Sequence, residues 1–249
     1  FTGWTPPPPF TPNLIIAVSF GLLVPPRILD LAKYGGLNLH PSLLPDLRGS
    51  APITHAILNH RPYTGVSVQT LHPTKFDAGL VLAQTDAPGL PIAPAETSAE
   101  LEARLAHVGA AMLVHVLREK RFVPPLKDVG WYPGPTAYAP KITKQDRAVD
   151  FETMDMQRIL AVKRALGDVW CVLPNGSRLV IHDIVDLGVM HTDTNTQPGL
   201  LAYRKDHGEL LFRAACGRVA AISSSTYAGG KTGKGNAKVE KMLRAQAKL

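Results

Sequence analysis

Cysteine is scarce: Cys171 and Cys216 are the two cysteines in 249 residues, and they form no C-x-x-C pair. That excludes a disulfide scaffold, argues against structural zinc and indicates a reducing compartment. Long apolar runs are missing too. The longest, Leu14 to Val24, covers 11 residues, contains Ser19 and Gly21, and stops at Pro25-Pro26. A bilayer-spanning helix needs about 20, so the sequence predicts no membrane helix. There is no H-E-x-x-H, no G-x-S-x-G, no P-loop and no internal repeat. His55, His60, His72, His107 and His115 have no carboxylate-spaced arrangement suited to a metal. What the chain does have is 45% hydrophobic residues, 19% charged residues and a mean hydropathy near zero, which exclude a disordered chain.

Positive charge is unevenly spread. Residues 1 to 140 hold 10 Lys/Arg against 9 Asp/Glu, whereas residues 141 to 249 hold 17 against 11. In the last twenty residues Lys231, Lys234, Lys238, Lys241, Arg244 and Lys248 face only Glu240. With aromatics at only 6%, such a cluster suits attraction to a phosphate backbone better than base stacking; the other reading is a solvated basic tail.

The chain opens on a proline-rich lead, Phe1 to Pro12, with neither a signal-peptide core nor an Arg-rich amphipathic pattern. Leu14 to Phe20 then reads as a strand buried on both faces, Pro26 to Tyr34 as a short helix, Leu37 to His40 as a second strand and Gly65 to Leu71 as a third, which together imply a parallel sheet. Residues 97 to 120 predict a helix, because Thr97 and Glu100 form a capping box ahead of the stripe Leu101, Leu105, Val108, Met112 and Val116. Prolines and glycines without periodicity mark residues 125–150 as a linker between a domain at 1–124 and another at 151–249. The second domain begins with a helix at about 153–166 and continues as short strands. Pro174-Asn175-Gly176 signals a hairpin there, and Asp206-His207-Gly208 and Cys216-Gly217 separate later strands of a small β-barrel or sandwich.

Three residues stand out chemically. Asn38 and His40 are two apart on one strand, so both project from the same face, just before the kink at Pro41. An amide donor beside an imidazole suits oxyanion stabilisation and proton transfer near neutral pH, although both residue types also serve as ordinary turn formers. Asp77 follows the third strand, where a carboxylate either orients His40 or caps the turn before Gly79.

The block Asn38-Leu39-His40-Pro41-Ser42-Leu43-Leu44-Pro45, with Arg48-Gly49, Thr64-Gly65-Val66 and Asp77-x-Gly79 downstream, resembles the folate-dependent formyltransferase family. Ala139-Pro140-Lys141-Ile142-Thr143-Lys144, followed by Val149-Asp150-Phe151 and, near the end, Gly229-Gly230-Lys231, is similar to the branch of that family that acts on methionyl-tRNA. Two positions depart from that branch: Pro41 stands where its bacterial members usually have Gly, and Phe151 where Trp is usual.

The resemblance implies an α/β fold, a partial Rossmann-like formyltransferase sheet followed by a small OB-like β-barrel. It implies transfer of the formyl group of 10-formyltetrahydrofolate to the amino group of methionyl-tRNA, with Asn38, His40 and Asp77 catalytic. Folate is expected at Leu22, Leu23 and Val24 and at the loop Ser42, Leu43, Leu44 and Pro45. Initiator tRNA is expected at Arg48 and at Lys231, Lys234 and Lys238. No metal and no membrane partner are expected, the protein is expected to be a monomer, and the wording of the motifs points to the mitochondrial matrix. The family's members carry a further βαβ stretch ahead of the position of Leu14, so the resemblance implies a chain lacking part of its N-terminal region. Other formyl-folate transferases or hydrolases, and a non-catalytic RNA-binding protein, are the competing readings.

Overall fold

The computed structural model describes residue 4, residues 11–190 and residues 197–246. Most of the proline-rich lead, and Lys248, lie outside the described residues. The chain divides into two compact units, Phe1–Lys141 and Ile142–Leu249. The division falls inside the 125–150 stretch that the prolines mark.

The first unit runs β1 (Ile15–Val18), α1 (Pro26–Leu29), β2 (Gly36–His40), β3 (Arg48–Gly49), α2 (Pro52–Leu58), β4 (Tyr63–Thr64), β5 (Ser67–Thr70), β6 (Val81–Gln84), β7 (Leu90–Pro91), α3 (Ser98–Arg118) and β8 (Tyr138–Ala139). Its main sheet has the order β1-β2-β5-β6. β1 and β2 are parallel, as a strand–helix–strand unit requires, but β5 runs antiparallel to both β2 and β6. The sheet is therefore mixed and not the parallel one expected, because the segment from β2 to β5 returns the chain in the opposite direction. β1 corrects a second expectation. It lies at the end of the strand order, and its faces differ: Ala17 is buried, whereas Ile16 and Val18 are about half exposed. A run of apolar residues alone does not reveal whether a layer covers each face.

α3 forms where the capping box predicts it. Thr97 Oγ1 accepts from Glu100 N, and Glu100 Oε2 accepts from Thr97 N at 2.8 Å. Its stripe buries Leu101, Leu105 and Val116, and Val116 packs with Leu37, Val68 and Leu82 of the sheet. Gly109 marks the closest approach, since a Cβ there would stand 2.9 Å from Leu39 Cδ2. Residues beyond α3 also attach to this unit: Trp131 Nε1 donates to Thr85 O at 2.7 Å, and β8 pairs with β3.

The second unit holds α4 (Met156–Leu166), β9 (Val169–Val172), β10 (Arg178–Val189), β11 (Gly199–Arg204), β12 (Glu209–Arg213), β13 (Arg218–Tyr227) and α5 (Gly235–Gln246). The five strands make one antiparallel sheet in the order β11-β12-β13-β10-β9, with the hairpin at Asn175-Gly176 joining β9 to β10. Phe151 is buried and stacks on Phe212 at 4.5 Å between ring centroids, so the residue that departs from the usual Trp still fills the core. Asn236, at the start of α5, is buried and donates to Ile222 O, Ser223 O and Gly208 O while accepting from Ser225 Oγ. That one amide docks α5 on β13. Cys171 is buried and Cys216 exposed, and both are free.

Candidate active site

Asn38 and His40 leave the same face of β2, and β5 lies beside them with Gln69 opposite Asn38 and Ser67 opposite His40. The loop from β5 to β6 carries Asp77 back over this face. Asp77 has a φ of +50°, a left-handed conformation that a short polar side chain tolerates better than most. Its Oδ1 accepts from Asn38 Nδ2 at 3.2 Å and Gln69 Nε2 at 2.9 Å, and stands 3.3 Å from His40 Nδ1. Oδ2 accepts from Gly49 N at 2.8 Å. Amide, imidazole and carboxylate, separated by up to 39 positions in the chain, thus meet at one point.

Glycine at position 79 is a steric requirement of this loop. A Cβ there would lie 1.8 Å from Thr70 O, inside the carbonyl itself. The D-x-G spacing therefore lets the loop lie flat on β5 and brings Asp77 down to the sheet.

His40 is almost fully buried, and its Nε2 lies 3.0 Å from Leu47 O. A carbonyl oxygen only accepts, so Nε2 holds the ring proton and Nδ1 is the nitrogen that gains or loses one. Burial pulls the imidazole below its ordinary value of 6.5, against the nearby Asp77 charge and the Leu47 hydrogen bond, and the Arg48 guanidinium pushes in the same direction as burial. A buried ring that stays neutral at neutral pH is a base.

The three groups face a cleft of about 730 Å³ within the first unit. Phe20 to Val24 form one wall, and Ile53, Thr54, Ser98, Glu102 and Lys141 form another. Leu22 is exposed, Leu23 half-buried and Val24 buried, so an apolar strip is open to a ligand there. Ser42, Leu43, Leu44 and Pro45 are not on the cleft wall. Leu43 and Leu44 point into the core, and Ser42 is fully buried with its Oγ donating to Asp46 O at 2.6 Å. Ser67 Oγ donates to Ser42 O at 2.7 Å, and Gln84 Nε2 donates to Leu44 O at 2.9 Å. These bonds fix the loop behind His40. Arg48 lies on β3 next to Gly49 and half-buried, while Lys231, Lys234 and Lys238 lie in the second unit, exposed, with Lys238 Nζ 4.4 Å above the Tyr227 ring. Among the described residues, no three His, Cys, Asp or Glu side chains cluster in a way that would hold a metal. The sequence reading missed Gln69 and Gly49 as partners of Asp77.

Residues 8–117 match the family described as formyl transferase. The match lies within the first unit. The chain is 33% identical over 217 residues to the mitochondrial methionyl-tRNA formyltransferase of Mus musculus, covering 81% of this chain and 53% of that protein. It is 31% identical over 227 residues to the mitochondrial methionyl-tRNA formyltransferase of Saccharomyces cerevisiae, covering 77% of this chain and 54% of that protein. A bacterial methionyl-tRNA formyltransferase, from Dictyoglomus thermophilum, is 35% identical over 159 residues, covering 63% of this chain and 48% of that protein. The chain thus spans about half the length of the curated relatives it matches. Among solved structures, HypX from Aquifex aeolicus in complex with tetrahydrofolic acid superposes with a TM-score of 0.62 at 18% identity, over 86% of this chain and 36% of that one, a likeness of fold. Within residues 8–117, Asn38 to Pro41 line the cleft, Ser42 to Pro45 lie behind them, and the D-x-G turn supplies the carboxylate.

Proposed function

We propose that this chain transfers the formyl group of 10-formyltetrahydrofolate to the α-amino group of methionyl-tRNA. The observation that carries this reading is the convergence of Asn38, His40 and Asp77 beside an apolar-walled cleft in a formyl transferase domain. The folate lies along Leu22, Leu23 and Val24, and the Ser42 to Pro45 loop serves it from behind by keeping His40 in place.

The residues divide the chemistry between them. The methionyl amine attacks the formyl carbon, and the carbonyl oxygen becomes an oxyanion. One Asn38 N–H is engaged by Asp77, which leaves the second to donate to that oxyanion. His40 Nδ1 takes the proton released by the amine, and the Asp77 carboxylate stabilises the resulting imidazolium. The same proton then passes to N10 of the folate as the C–N10 bond breaks, which restores the neutral ring and leaves tetrahydrofolate and formyl-methionyl-tRNA.

The second unit, an OB-like barrel in this reading, binds the tRNA through Lys231, Lys234 and Lys238, and Arg48 meets it beside the cleft. The catalytic domain at 1–124, the 125–150 connection and the 151–249 RNA-binding domain form a monomer working in the mitochondrial matrix without a metal. The test is formylation of charged initiator methionyl-tRNA by the full chain supplied with 10-formyltetrahydrofolate. Formyl-methionyl-tRNA formation supports the reading; formate release at the same rate with or without tRNA would assign a hydrolase, and RNA binding with neither product would assign a binding protein.

A further inference from the structure

Asp77 sits on the loop between β5 and β6, whose residues Pro73 to Phe76 are exposed. A carboxylate on such a loop needs an anchor in the sheet to stay in hydrogen-bonding reach of the imidazole. Gln69, on β5 and 1% exposed, supplies it. Its Nε2 donates to Asp77 Oδ1 at 2.9 Å, and its Oε1 accepts from Gly79 N at 3.1 Å. One side-chain amide therefore holds both the carboxylate and the backbone two residues further on. The amide orientation is fixed by its partners, because turning it over would set Oε1 against a carboxylate oxygen and Nε2 against an N–H. Asn38 reaches the same Oδ1 at a longer 3.2 Å and lies opposite Gln69 in the strand register.

We propose that Gln69 is a positioning residue for formyl transfer: it holds Asp77 Oδ1 beside His40 Nδ1 and relieves Asn38 of being the sole side-chain amide on that oxygen. The catalytic part of this proposal rests on the formyl-transfer reading above. The charged and titratable groups around the pair are His40 on β2 and Arg48 on β3, with His72, Lys75, Glu102 and Lys141 on the cleft wall.

Two substitutions in the full chain separate positioning from simple packing. Gln69→Met keeps the length of the side chain and removes both hydrogen bonds. Its kcat is expected to fall about tenfold to a hundredfold at every pH, with KM for formyl-folate changed less than about threefold, the size of loss expected when a reacting group is misplaced. Gln69→Glu restores both bonds only when protonated, since the acid O–H donates to Asp77 and its carbonyl accepts from Gly79 N. The ratio of its kcat to that of the wild type is expected to rise as pH falls. A packing role would instead lower both variants by a factor independent of pH, and Met within about threefold of wild type would overturn the proposal.

If neither variant folds, the wild-type chain decides. The Gln69 side-chain amide resonances should shift with pH at the same midpoint as the His40 ring, and a flat response overturns the proposal. This NMR readout needs no turnover. A wild-type chain that shows the coupled titration but no formyl transfer would therefore refute the reading of the reaction while leaving the Gln69–Asp77 link standing.

Discussion

His40 keeps its Nε2 proton on Leu47 O, so its acid–base chemistry is confined to Nδ1, the nitrogen beside Asp77. Two pH effects follow. Burial lowers the folded pKa below the ordinary 6.5. At neutral pH most His40 rings then have Nδ1 free, and the acid limb of kcat that reports this ring should have its midpoint below 6.5. Stability moves the same way. Between the lowered folded value and the ordinary 6.5 the unfolded chain binds more protons, so stability is lost as pH falls through that window and levels off beneath it. Urea unfolding across that range should show the slope in the wild type and lose it in His40→Asn, which should also cost about 10²- to 10⁴-fold in kcat as the base disappears. Gly79→Ala tests the turn. With a Cβ placed 1.8 Å from Thr70 O, the loop must lift, and the loss of activity should approach that of Asp77→Asn although no catalytic group has changed. At this scale the meeting of Asn38, His40 and Asp77 was legible in the sequence because a two-residue strand spacing and a D-x-G turn are local patterns. Gln69 was not. In Val66-Ser67-Val68-Gln69 the apolar and polar residues alternate like a half-exposed strand, yet Ser67 and Gln69 are as buried as the valines, because the Asn38–Asp77 site and the Ser42 loop cover the polar face.

Elements that announce their own ends are the ones the sequence reveals. α3 carries a complete capping box, and Thr97→Ala should cost about 1 kcal/mol in a denaturant melt of the full chain by removing the acceptor for Glu100 N. α2 has Ala51 at its N-cap, no side-chain capping bond and only seven residues, so Pro52 at its first position marks its start only weakly. β1 shows the opposite failure: its apolar residues are easily read as a strand, but the exposure of Ile16 and Val18 depends on the neighbours that the fold provides. In the second unit, turn residues identified the hairpin from β9 to β10, whereas the docking of α5 depends on Asn236, whose partners are 11 to 28 positions away. Asn236→Ala should leave three carbonyls and the Ser225 hydroxyl without their amide partner, at about 2–4 kcal/mol. Calorimetry of the full chain would read this as an earlier transition, and an unchanged profile would mean that α5 does not depend on that amide.

Over the whole molecule, the charge distribution divides at nearly the same place as the fold. Residues 1 to 140, which hold all of the cleft lining but Lys141, are close to neutral, while residues 141 to 249 carry the excess of 17 Lys/Arg over 11 Asp/Glu. A nearly neutral cleft with one buried imidazole suits a small reacting group. A basic sheet unit suits a polyanion held by charge and not by base stacking. Lys231 and Lys234 lie on the exposed turn after β13, and Lys238 extends from α5 over Tyr227, which restrains the ammonium without neutralising it. Each lysine that sits on a phosphate releases roughly 0.7 to 0.9 of a counterion. Replacing all three by Gln should therefore flatten the plot of log affinity for initiator tRNA against log salt by about two, and should raise KM for methionyl-tRNA at physiological salt while leaving KM for formyl-folate unchanged. A slope equal to that of the wild type would move the tRNA contact away from these lysines. A slope reduced together with a lost kcat would mean that the second unit also orders the reacting cleft, because charge on a phosphate contact acts on binding and not on the chemical step.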